Sequence, residues 1–90
     1  MEKELLFKKA QKVMPGGVSS PVRSFKSVGG IPPFIRRGGG AILTDSENNK
    51  YIDFVGSYGP AILGHCNYTV TEAIKNQSEK GLCFGDPSEL

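Results

Sequence analysis

The sequence has no tryptophan, a single histidine, two cysteines and no apolar run beyond a few residues. Each shortage removes a class of protein. Nothing approaches the roughly 20 apolar residues that cross a bilayer as a helix, so no membrane span is expected. The opening "MEKELLFKK" is charged throughout and offers no apolar core of a signal peptide. Cys66 and Cys83 stand outside any CxxC spacing or His/Cys cluster, so free thiols in a reducing compartment are expected, without a metal. Eleven basic and nine acidic residues leave a charge of only +2. Apart from Lys8-Lys9 and Arg36-Arg37 the basic groups are dispersed, unlike the clustered face that nucleic acid requires. The chain reads as cytoplasmic.

What is present is backbone punctuation. Twelve glycines and six prolines in 90 residues predict a loop-rich path. A chain this short makes at most one small domain and buries only about 60% of its unfolded surface, so its stability alone is marginal. Residues 2–14 carry Leu6, Phe7, Ala10, Val13 and Met14 on one helical face, opposite lysines, and Pro15-Gly16-Gly17 ends the run. Residues 15–33 hold four prolines and four glycines without periodicity. Irregular segments of that length tend to be functional or disordered. "FIRR", "AILTD" and "YIDFV" then predict three short strands in an antiparallel meander, with Ile42 facing Ile52 or Phe54. Gly38-Gly39-Gly40 and "SENNK" are its expected hairpin turns. A glycine-rich loop from 56 leads to a helix over 69–80, with Thr69 and Glu72 in capping-box spacing and Gly81 beyond its end. The fold class is α+β: helix, long loop, three-stranded meander, helix.

Few side chains suggest chemistry. The glycine triplet lies between two strands, whereas a phosphate loop runs from a strand into a helix. His65 has no partner that the sequence can place, and reads as a structural residue closing the "LGH" turn. Arg23 follows Ser19, Ser20 and the φ-restricted Pro21. A guanidinium restrained in this way suits a carboxylate or phosphate, but a surface arginine with a loose ion pair fits equally well. Tyr58, in "GSYGP", lines a pocket or covers the meander.

Three stretches together go further. "PGGVSSPVRSFKSVGG" (15–30), "YIDFVGSYGPAILGH" (51–65) and "GLCFGDPSEL" (81–90) resemble the beginning of the glutamate-1-semialdehyde aminomutases, within the class III aminotransferases. Asp45, Glu47 and Tyr51-Ile52-Asp53 stand in the meander pattern shared by that wider class. The loop from Ser20 to Phe25 carries the narrower resemblance. Ser19 replaces a usual asparagine, Tyr58 a usual tryptophan, and Asn48-Asn49 a glycine-bearing turn.

The resemblance implies the N-terminal segment of a larger fold-type I transferase, dependent on pyridoxal 5′-phosphate and homodimeric. Its parts would be a helix over 1–14, a substrate loop over 15–33, the meander over 34–55, an active-site loop over 56–68 and a helix over 69–80. The implied reaction is an internal amino exchange converting glutamate 1-semialdehyde to the tetrapyrrole precursor 5-aminolevulinate. Arg23 would bind the substrate carboxylate, Ser20 would assist, and Tyr58 would pack against the substrate. None of the eight lysines matches the motif of the family's cofactor lysine, so no catalytic or cofactor-binding residue is expected here. Another class III aminotransferase, or a non-catalytic meander that binds a partner, are the competing expectations.

Overall fold

The computed structural model describes residues 2–89. Helix α1 (Glu2–Val13) is followed by single 3-10 turns at Pro15–Gly17 and Pro21–Arg23. Strands β1 (Ile35–Gly39), β2 (Ile42–Asp45) and β3 (Lys50–Ile52) form an antiparallel sheet in the order β1-β2-β3. A 3-10 turn at Gly56–Tyr58 then leads to helix α2 (Tyr68–Ser78).

Acidic Glu2 and Glu4 in the first turn of α1 and Lys12 in its last complement the helix dipole. The helix stops where Pro15 removes a donor, and Gly16 and Gly17 adopt φ of 69° and 74°. Gly17 is buried with its Cα against the Phe7 ring, so a Cβ there would lie 2.8 Å from that ring. Glycine lets the chain fold back over α1 and lead into the 19–24 turn.

In the sheet, Ile42 pairs with Ile52. Phe54 lies beyond β3 and is 91% exposed. The glycine triplet is only partly a turn: Gly38 and Gly39 pair with Leu43 and Ile42 inside the β1–β2 ladder, and the chain reverses at Gly40-Ala41. A register shift between Ile35 and Arg37 makes Arg36 the bulged residue. Its guanidinium reaches Glu2 Oε1 at 2.7 Å and ties β1 to α1. At the β2–β3 turn, Asp45 organises the backbone. Oδ1 accepts the N–H groups of Glu47 and Asn49 at 2.9 and 2.8 Å, and Oδ2 accepts Asn49 Nδ2 at 3.0 Å and the Tyr51 hydroxyl at 2.9 Å. Asn48, at φ 67°, supplies the left-handed residue that the reversal needs.

Helix α2 begins two residues earlier than a Thr69 cap would place it. Asn67 Oδ1 accepts the Val70 N–H at 3.2 Å, so Asn67 is the cap and Thr69 lies within the first turn. Asn67 takes the Val70 amide, the third of a helix that starts at Tyr68, whereas a Thr69 cap would take the Glu72 amide one half-turn later.

A core is nearly missing. Among the described residues the buried apolar side chains are the small ones of Ala10 and Pro32, while Thr44, Asp45 and Ser46 are buried polar ones. Phe54, Ile62, Tyr68 and Val28 are more than three-quarters exposed. The radius of gyration is 16.3 Å, whereas a compact chain of this length has ~12 Å. These elements are spread out around a sheet that has no covering layer.

Two outcomes are expected. Expressed alone, the 90 residues should bind a hydrophobic dye and melt without a cooperative transition, because a three-stranded sheet needs a packed face to be stable. A sharp, concentration-independent calorimetric transition would contradict this. The second concerns Asp45. Burial raises its pKa, but hydrogen bonds from Asn49, Tyr51 and the Glu47 amide outweigh burial and hold it below the usual carboxylate value. A carboxyl depressed in the folded state stabilises above its unfolded pKa of ~3.9, and that contribution fades as pH falls through the lower folded value. The thermal midpoint lost on Asp45→Asn in the full-length protein should therefore be largest at neutral pH and shrink below pH ~4. A loss that stays constant down to pH ~2.5 would refute the assignment.

Candidate functional site

Arg23 sits at the end of the Pro21–Arg23 turn. Ser20 enters it extended, at φ −148° and ψ 139°, and Pro21 presets the first helical φ. The turn is closed by Arg23 N–H to Ser20 O and Ser24 N–H to Pro21 O, both 3.0 Å. The Arg23 Nη1 donates to Ser19 Oγ at 2.9 Å, its one side-chain partner among the described residues. A guanidinium has five N–H donors in a planar fork, so one serine aims it while leaving the fork able to take a bidentate acceptor. The hydroxyl that meets the guanidinium belongs to Ser19, and Ser20, expected to assist at the substrate carboxylate, contributes its carbonyl to the turn. Ser19, Ser20, Pro21 and Ser24 line an open concavity on this loop.

Tyr58 is positioned by a second device, centred on Asp53. Leaving β3, the Asp53 carboxylate turns back on the chain, and Oδ1 accepts the N–H groups of Val55 and Gly56 at 2.9 and 3.1 Å. Oδ2 lies 2.5 Å from His65 Nε2. The His65 ring and the two amides hold the Asp53 carboxyl below the usual carboxylate range. His65 is fixed in turn by a two-way backbone bridge to Gly40, both bonds 2.9 Å. Its ring lies on Gly38, where a Cβ would come within 2.8 Å of it. Gly64 approaches the Gly40 carbonyl so closely that a Cβ would sit 2.9 Å from the oxygen.

Between these anchors the chain runs through Ser57 at φ 56° and Tyr58 at φ 64°. Two consecutive non-glycine residues in the left-handed region cost roughly 1–2 kcal/mol each. Such strain persists where the surroundings over-determine it, and it gathers at functional sites. The Tyr58 N–H bonds Val55 O at 3.2 Å, and the side chain is 68% exposed. Arg23 and Tyr58 are thus presented by separate turns. Among the described residues no hydrogen bond or ion pair joins the 19–24 turn to the Asp53–His65 cluster.

The sequence reading left His65 without a partner. Its partner is Asp53, twelve residues away and brought to it by the 56–64 loop. The available signal was a carboxylate at a strand end followed by a histidine on a glycine turn.

The residues present do not build a phosphate cradle. Gly38 and Gly39 are paired within the β1–β2 ladder, and the Gly40 N–H is taken by the His65 carbonyl. Lys8, Lys9 and Lys12 lie on the exposed face of α1, and the Lys75 ammonium bonds Glu72 at 3.0 Å. Among the described residues no group of three His, Cys, Asp or Glu side chains could hold a metal. What this arrangement offers is a restrained guanidinium and a restrained aromatic ring.

Over 85 residues the chain is 58% identical to the glutamate-1-semialdehyde 2,1-aminomutase of Legionella pneumophila strain Philadelphia 1, covering 94% of this chain and 20% of that protein. The chain therefore spans about a fifth of the length of the curated relatives it matches. Its fold superposes on an omega-transaminase from Sphaerobacter thermophilus with a TM-score of 0.80 and 32% identity, covering 97% of this chain and 19% of that one. A glutamate-1-semialdehyde-aminomutase from Pseudomonas aeruginosa shares the fold at a TM-score of 0.81 and 23% identity, over 98% of this chain and 19% of that one. Two helices flanking a three-stranded antiparallel sheet in the chain are thus the architecture of one part of these proteins. Residues 25–87 match the family described as Aminotransferase class-III, and the chain belongs to that family.

Proposed function

We propose that these 90 residues form the N-terminal, substrate-facing segment of a pyridoxal-phosphate-dependent glutamate-1-semialdehyde 2,1-aminomutase, an isomerase that supplies 5-aminolevulinate for porphyrin synthesis. The observation that carries the reading is the 58% identity with the Legionella aminomutase over 85 residues, 94% of this chain. The transaminase likenesses are much weaker in identity, which leaves a different class III amino transfer as the second choice.

In this reading the segment binds and orients, and the cofactor's electron-sink chemistry is supplied from elsewhere in the protein. Arg23 grips the substrate carboxylate with its planar fork. Ser19 aims the guanidinium, and the Ser20 carbonyl closes the turn that carries it. Tyr58 lays its ring against the substrate carbon chain. The 15–33 segment acts as the substrate loop and the 56–68 segment as the active-site loop. The exposed apolar residues of the sheet and of the 54–63 segment are covered by the rest of the protein, which works as a homodimer in the cytoplasm. No described helix is long and apolar enough to cross a membrane, in keeping with that location.

Replacing Arg23 by lysine keeps the charge and removes the fork. Charge-assisted hydrogen bonds are worth roughly 1.5–3 kcal/mol, and ~1.4 kcal/mol is a factor of ten. Steady-state kinetics of the full-length Arg23→Lys protein should show kcat/KM lowered about ten- to a hundredfold, with cofactor occupancy unchanged. A substrate analogue lacking the carboxylate should respond little. Equal impairment on both substrates, or loss of the cofactor, would remove Arg23 from the carboxylate site. The 90 residues alone should show no turnover when supplied with substrate and cofactor, and measurable isomerisation by that fragment would sink the division of labour.

A further inference from the structure

The Asp53–His65 contact lies off the set of groups assigned above to the substrate, yet it is the tightest side-chain interaction along the Tyr58 loop. It joins the two ends of a twelve-residue excursion: Asp53 where β3 ends, and His65 where the chain returns to Gly40. Both sides are well sheltered, with side-chain exposures of 8% for Asp53 and 20% for His65. The same carboxylate also holds the Val55 and Gly56 amides, the first two links of the turn that carries Ser57 and Tyr58 in the left-handed region. A strained turn relaxes when its ends are free. Here each end is tied to the same side chain.

We propose that Asp53 and His65 act as a positioning pair that holds the Tyr58 ring in its substrate-facing orientation. Neither residue touches substrate, and both act through the backbone of residues 55–58. This inference rests on the reading that Tyr58 packs against the substrate. The existence of the clamp does not depend on that reading. With Nε2 protonated, His65 donates to Asp53 Oδ2. Oδ1 is left free to gather the two amides, so one carboxylate serves both jobs without competition between them.

The test uses the full-length protein and two readouts. Hydrogen exchange followed by mass spectrometry reads the clamp without reference to activity. In His65→Ala, amides of residues 55–61 should exchange faster, while those of the β2–β3 ladder remain protected. Kinetics reads the role. His65→Ala should lower kcat/KM about tenfold, mainly through KM, but should cost less than about twofold when introduced into a Tyr58→Ala protein. His65→Gln, which keeps a side-chain N–H near the Nε2 position, should restore most of the protection and activity. It also serves as the decisive variant if His65→Ala fails to accumulate. Unchanged exchange at 55–61 overturns the clamp. Faster exchange with an undiminished kinetic penalty in the Tyr58→Ala background overturns its action through Tyr58. A His65→Gln protein as impaired as His65→Ala overturns the hydrogen bond as its basis. If the wild-type protein lacks aminomutase activity, the functional proposal fails, and the exchange data still decide whether the clamp exists.

Discussion

Everything between β3 and α2 hangs on one carboxylate. Asp53 leaves the sheet at the point where the ladder ends and where backbone N–H groups lose their strand partners. Past the ladder the amides need another acceptor, and Asp53 Oδ1 supplies it for Val55 and Gly56. Its second oxygen reaches His65 and thereby fixes where the chain comes back. The return is possible because glycine stands at each close approach: Gly38 under the imidazole, and Gly64 against the Gly40 carbonyl. Acid, imidazole and glycines form one device, in which removing any member leaves the others without a partner or without room.

The same economy governs the Asp45 turn, where one buried carboxylate collects two amides, an amide side chain and a phenol. The Tyr51 hydroxyl donates to Asp45, and that hydrogen bond, then burial, then the neighbouring carboxylate charge raise the Tyr51 pKa above its ordinary value. Two aspartates thus organise a sheet that has almost no apolar core of its own. The structure is specified locally by hydrogen bonds, and its apolar residues are left facing outward. Local order and global dependence coexist here because turns need only nearby partners, whereas a core needs mass.

This separation explains what the sequence could reveal. The meander was legible because alternating apolar residues and Asn/Gly turns are local signals, but the choice of Ile52 over Phe54 as the partner of Ile42 comes from the structure. Helix α1 was legible from periodicity and from its proline stop. The cap of α2 was misplaced because Asn67 and Thr69 both fit an N-cap, and only geometry ranks them. The Arg36 bulge leaves no trace in composition. At the candidate site, Arg23 and Tyr58 stood out through their flanking proline and glycines. The hydroxyl partner of Arg23 could not be chosen between two adjacent serines. The Asp53–His65 contact was hidden because it spans a loop whose path depends on those same glycines.

In the proposed division of labour this segment presents a guanidinium and an aromatic ring on two separately built turns, and residues outside it carry the chemistry. The most direct measurement is a crystal structure of the full-length protein with its cofactor and an unreactive carboxylate-bearing substrate analogue. The account expects the analogue's carboxylate within ~3 Å of two Arg23 guanidinium nitrogens, the Tyr58 ring against its carbon chain, and Asp53 still bonded to His65. An analogue held by a guanidinium outside residues 2–89, with Arg23 still turned to Ser19 and solvent, would contradict it.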